Sequence, residues 1–153
     1  MPVQPTAAGS RLRVIANKLT ANTRYIVSAT NITNGSSAAT SEHSRSGKVI
    51  KTLSLDARGV TKVELKNQQG IVEKSYVVVT ATDIDCCIAK LVHDAINCTC
   101  KCDQCKKDLR RAQTVRLLLD SAMYEAHLGL ADTANDKYNK AKALCTEVCA
   151  CGC

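Results

Sequence analysis

The chain has no Phe and no Trp among its 153 residues; its only aromatics are Tyr25, Tyr76, Tyr124 and Tyr138. Aromatic side chains normally carry much of a small domain's buried area. Any core here is therefore built from Val, Ile, Leu and Ala. Thin cores of that kind belong to domains that are stapled or oligomeric. No apolar run approaches the length of a membrane span, so no membrane partner is expected. The opening Met1-Pro2-Val3-Gln4-Pro5 is polar and lacks the apolar stretch of a secretory signal, so synthesis in the cytoplasm without export by the common route is expected. Cysteine is absent from the first 85 residues.

All ten cysteines fall between Cys86 and Cys153, in three groups. They are Cys86-Cys87, then Cys98-x-Cys100-x-Cys102-x-x-Cys105, then Cys145-x-x-x-Cys149-x-Cys151-x-Cys153. Such density is a cross-linking or metal-binding framework, and its confinement to one end divides the chain. Charge divides it too. Residues 1–83 hold 11 Lys/Arg against 5 Asp/Glu, and residues 84–153 hold 10 against 9. A basic front half can face nucleic acid or an acidic surface. Its basic residues are dispersed and lack stacking aromatics, which favours a solvated face, and nucleic acid is not expected as a partner.

Residues 1–10 read as an extended arm. From residue 11 the pattern is β. Strands are expected over 11–16, 24–33, 48–55, 61–66 and 71–80, where β-branched residues alternate with polar ones between turn signals. Residues 34–47 read as a polar Ser/Thr-rich loop, a solvated connector or a contact loop. Tyr76-Val77-Val78-Val79 is apolar enough for a central strand. Together these predict an antiparallel β-sandwich of immunoglobulin-like type over 11–82, with a small open barrel as the alternative.

At Asp83 the period changes to that of helices. Asp83 or Asp85 is the expected cap of a first helix, whose face carries Ile84, Cys87, Ile88, Leu91, Val92 and Ala95. A long helix capped by Asp103 follows, with Leu109, Ala112, Val115, Leu118, Leu119, Ala122, Met123 and Ala126 as its apolar stripe. It stops near Gly129. A third helix starts at Asp132 with Ala134, Tyr138, Ala141, Leu144, Cys145 and Val148 on one face. The two longer helices form an expected antiparallel hairpin, similar to a single tetratricopeptide unit. The fold class is thus α+β: a sandwich, then a cysteine-stapled three-helix domain over 84–153.

The hairpin should bring Cys145, Cys149, Cys151 and Cys153 back toward Cys98, Cys100, Cys102 and Cys105. Disulfides among these groups, with Cys86 and Cys87 as further candidates, are the leading reading. The alternative is structural zinc held by thiolates from Cys98, Cys100, Cys102, Cys105, Cys145, Cys149, Cys151 and Cys153; Cys102-x-x-Cys105 has the usual half-site spacing. Neither connectivity nor metal state follows from spacing. Catalysis finds no support. His43, His93 and His127 are scattered rather than placed beside a cysteine nucleophile, and no phosphate loop or nucleophile elbow is present. Cys102-x-x-Cys105 lacks the βαβ setting of a thiol oxidoreductase.

Four segments taken together resemble the C-terminal region of small structural proteins from tailed bacteriophages. They are Asp85-Cys86-Cys87-Ile88-Ala89-Lys90-Leu91, the Cys98–Cys105 run, Leu117-Leu118-Leu119-x-x-Ala122-x-Tyr124, and Lys137-Tyr138-x-Lys140-Ala141-Lys142-x-Leu144-Cys145. The resemblance covers about the last 70 residues and implies a role in virion structure, with no catalytic residues. The expectation is an oligomeric neck or tail ring protein that contacts copies of itself and other neck, tail or capsid proteins. A capsid decoration protein is the nearest alternative, and a zinc-dependent nucleic-acid-binding protein is the alternative from another class.

Overall fold

The structure is a computed structural model that describes residues 3–5, 10–97 and 103–146. It is mixed α+β. In chain order come β1 (Val3–Pro5), β2 (Arg11–Ala16), β3 (Thr23–Asn31), β4 (Ser37–Ser44), β5 (Val49–Ser54), β6 (Gly59–Lys66) and β7 (Val72–Thr80). Helices α1 (Thr82–Ile96), α2 (Asp103–His127) and α3 (Ala131–Thr146) follow. All strand pairing is antiparallel, in one sheet of order β1-β2-β5 and a second of order β4-β3-β6-β7.

Strand alternation builds the first core. Every second residue of a strand points to the same face. Leu12, Val14 and Ala16 of β2 and Val49 and Leu53 of β5 thus meet Tyr25, Val27 and Ala29 of β3 and Val63 and Leu65 of β6. Tyr25 is the one aromatic in this layer, fully buried, and its hydroxyl accepts a hydrogen bond from the Thr20 amide at 3.0 Å. At one margin Lys51 of β5 pairs with Glu42 of β4 at 3.2 Å. That hydrogen bond and charge hold the Glu42 carboxyl below its ordinary value.

The second core lies on the outer face of β6 and β7. Val60 and Val77 meet Ile84 of α1, Val115, Leu119 and Ala126 of α2, and Ala134, Tyr138 and Ala141 of α3. Alanines at these positions let the helices approach closely, and Tyr138, fully buried, fills the space between. Helix α2 ends in a left-handed Gly129, φ +80°, and the Leu130 amide returns to the Glu125 carbonyl at 2.9 Å. Lys137 of α3 then donates to Ser121 Oγ at 3.0 Å and to the Glu125 carboxylate of α2.

Several expectations need correction. Residues 37–44 are a strand, β4, rather than a loop. The segment has no large apolar residue to mark it, and pairing along β3 supplies its order. Strand β7 is an edge strand rather than a central one. Its apolar run reflects burial on both faces, with Val78 against the sandwich core and Val77 and Val79 against the helices. The arm contributes strand β1, paired with β2. Helix α1 has Ala81 at its N-cap, without a side-chain capping bond, so neither Asp83 nor Asp85 holds that position. Leu109 and Met123 of the α2 stripe are exposed rather than buried, at 42% and 43%. The side chains of Ala95 and Asp103, and Val148 altogether, lie outside the described residues.

A polar clip joins sandwich to helices. Thr33 Oγ1 donates to Asn135 Oδ1 of α3 at 2.7 Å and accepts from the Val60 amide at 2.9 Å. Beside it the fully buried Asn31 uses its whole amide. Nδ2 donates to the Asp56 and Arg58 carbonyls, and Oδ1 accepts from the Thr33 and Asn34 amides. Gly59 passes under Thr33 with φ +101°, and a Cβ there would lie 2.4 Å from Thr33 Oγ1. Gly59→Ala should therefore cost about 2–4 kcal/mol in urea unfolding, from backbone strain plus the clash. Gly70→Ala, with φ +79° and open space around it, should cost roughly 1 kcal/mol. Equal losses would remove Thr33 from the account.

Candidate functional site

Cysteine chemistry is where the sequence places its strongest signal. Among the described residues, Cys87 of α1 and Cys145 of α3 form a disulfide, with Cα atoms 5.9 Å apart, inside the normal range for such a bridge. Both residues fall on the stripe their helix turns inward. Cys87 follows Ile84 by three residues, and Cys145 follows Ala141 by four, so each points at the same helical core. Cys145 and Ile88 pack at the margin of that core. The bridge joins α1 to α3, which otherwise touch far less than either touches α2.

Hairpin geometry led to a different expectation for Cys145, namely a partner in the Cys98–Cys105 group. The stripe positions of Cys87 and Cys145 were legible in the sequence. What was missing was that α1 lies in the same core as α3. A disulfide sulfur has no thiolate to offer, so Cys145 leaves the set of zinc ligands. Cys98, Cys100, Cys102, Cys149, Cys151 and Cys153 lie outside the described residues, as do the side chains of Cys86 and Cys105. No group of metal-ligating side chains gathers among the described residues.

Open clefts on the described surface include the following. One of about 370 Å³ lies between Ile32, Lys62 and the Gly129–Thr133 turn. A second, about 380 Å³, is walled by Glu42, His43, Arg45, Ser46, Lys48 and Ile50. His43 and Ser46 share that cleft with Glu42, but Lys51 engages the carboxylate that would have to orient the imidazole. The third, about 230 Å³, runs between Tyr76–Val79 of β7 and Met123 and His127 of α2. His93 is exposed on α1, and His127 stands exposed in the last turn of α2. The three histidines lie on three separate elements.

Large apolar side chains stand exposed on both parts of the molecule. On the sheets and the turn before β7 they are Ile26, Ile50, Ile71, Val72 and Tyr76; on α2 and its turn they include Leu117, Tyr124, Leu128 and Leu130. Among the described residues no helix is long and apolar enough to cross a membrane. No protein-family model matches the chain, and neither a curated protein nor a solved structure matches it.

The disulfide generates a direct prediction. Digestion of alkylated, unreduced protein should yield a peptide pair joined through Cys87 and Cys145. The bridge closes a span of 58 residues. Chain entropy then sets its contribution at about 4 kcal/mol. Cys87→Ser and Cys145→Ser should each lower stability by a similar amount, and the double variant by no more than either. Additive losses would show that the two sulfurs act separately.

Proposed function

We propose that the chain is a structural, non-enzymatic component of a tailed-phage virion, in the first place an oligomeric ring protein of the neck or tail. The observation that carries this reading is the distribution of exposed apolar residues over two separate faces. A subunit packed among copies covers side chains of this kind where they adjoin one another. Edge strand β7, with Val72 and Tyr76 along it and Ile71 just before it, offers a margin through which the sandwich can meet a neighbour or another virion protein. The cysteine-rich segments that resemble phage structural proteins point the same way.

The finer fold reading belongs with this proposal. We read the two sheets as an immunoglobulin-like sandwich. The first, second and fifth strands form one sheet, and the fourth, third, sixth and seventh form the other. That division corresponds to the sheet sharing of such folds, with the fourth strand moved to the larger sheet. We read α2 and α3 as an antiparallel hairpin and the three helices as a stapled cap on the sandwich.

A disulfide suits a particle assembled in the host cytoplasm and then released into an oxidising medium as part of the virion. A decoration protein on the capsid would share these properties. The test is quantitative mass spectrometry of purified particles. A ring protein gives a small copy number fixed by the axial symmetry of the neck or tail. A decoration protein gives a copy number in proportion to the capsid protein. Absence from the particle, together with bound zinc and salt-sensitive DNA affinity of the isolated chain, would replace both with the nucleic-acid reading.

A further inference from the structure

Strand β4 ends its sheet. β3 pairs with one side of it, and no described strand pairs with the other. The Asn31 amide donates to the Ser36 carbonyl at 2.7 Å and sets the phase of the ladder. Hydrogen-bonded pairs then fall at Ala29–Ala38, Val27–Thr40 and Tyr25–Glu42, so the amides and carbonyls of Ala39 and Ser41 face outward. The His43 amide faces the same way and meets the Glu42 carboxylate. Edges are usually guarded by charge, Pro or a bulge. From Ser37 to Ser41 this one carries only Ser, Ala and Thr, in unbroken register.

At the C-terminal end of β4 the fold gathers cations that are dispersed in sequence. The Leu19 amide donates to the Gly47 carbonyl at 3.0 Å and the Asn22 amide to the Ser44 carbonyl at 2.7 Å, so the β2–β3 and β4–β5 loops are held together. Lys18, Arg24, Arg45 and Lys48, all exposed, share this end of the sandwich. Arg24 lies along β4 and donates to Ser41 Oγ at 3.2 Å. Among the described residues, none of the four cations has a carboxylate within ion-pair distance. Arg45, Lys48 and Ile50 wall the cleft of about 380 Å³ that opens here. Its one carboxylate, Glu42, is held by Lys51 at 3.2 Å.

We propose that an extended acidic segment of another protein adds to the free edge of β4 and lays its carboxylates against Arg24, Arg45 and Lys48. The edge selects polypeptide. It presents N–H donors and C=O acceptors together, and another backbone returns both. The phosphates of a nucleic acid would satisfy the amides alone, and the aromatic of these strands, Tyr25, is buried and offers no surface for a base to stack on. The cations select acidic side chains. The β4 of a second copy would bring Glu42 as its only carboxylate, already engaged by Lys51. The contact does not depend on the virion reading.

The test uses the full chain and a synthetic peptide of alternating Glu and Val, matched to β4 in length. Fluorescence anisotropy should show saturable binding, and amide exchange followed by NMR should slow at Ala39 and Ser41 when the peptide is bound. Arg45→Glu combined with Lys48→Glu should weaken binding by at least roughly tenfold. Ala39→Pro removes an outward amide, leaves the bonds to β3 in place, and should weaken binding to a similar extent. These side chains are exposed, so circular dichroism should be unchanged. Lys90→Glu, on α1, should leave binding unaltered. A peptide that does not bind overturns the proposal. So does a peptide of alternating Lys and Val that binds as well, binding that survives both the charge and the Pro variants, or protection that appears on β7 instead. Tighter binding of duplex DNA to the same residues would replace the acidic polypeptide with nucleic acid.

Discussion

A sheet whose one face is covered by a second sheet still has another face, and on β6 and β7 part of that face is apolar. Val60 and Val77 point away from the sandwich core and into the helices. The organisation of the C-terminal half follows from covering them. Ala112, Val115, Leu119 and Ala122 on α2, and Ala134, Tyr138 and Ala141 on α3, form stripes of small residues around a single large one. Small side chains allow close approach, and the burial they achieve is close to complete. The Thr33–Asn135 bond and the tight passage of Gly59 fix where the helices come to rest.

Scarcity of aromatics explains how each layer is filled and why a covalent link is useful. Tyr25 occupies the sandwich core and Tyr138 the helical one, each fully buried, while Tyr76 and Tyr124 are exposed. Each core thus has one large side chain set among Val, Leu and Ala. Such a core yields less transfer free energy than an aromatic one of equal extent. The Cys87–Cys145 bridge compensates where packing is thinnest, between the two helices that share the least contact. A half-buried ion pair, Lys137 with Glu125, secures α3 to α2 at the other end.

The strands with clean alternation were legible in the sequence, because a period of two with β-branched residues has few other outcomes. Arg11–Ala16 and Val63–Leu65 are examples. Helix boundaries near Asn97 and Gly129 were equally plain, since the periodic stripe stops there. Strand β4 was hidden because Ser37–Ser44 carries no large apolar side chain, and its order depends on a partner distant in sequence. The same non-local cause misled the placement of β7. An apolar run records burial on two faces and says nothing of hydrogen-bonded neighbours. The Cys87–Cys145 pairing needed knowledge of which helices share a core. Spacing along one helix supplies the direction of a sulfur but not the identity of its partner.

The central claim is that β6, β7, α2 and α3 form one cooperative unit across the change from strands to helices. Native-state hydrogen exchange of the oxidised full-length chain measures this directly, because amides that open together share one opening free energy. The account predicts that the slowest amides of α2 and α3 exchange with the same free energy as those of β6 and β7, and that Val60→Ala lowers all four together. Helices that open several kcal/mol below a fully protected β6–β7 pair, unaffected by Val60→Ala, would contradict it.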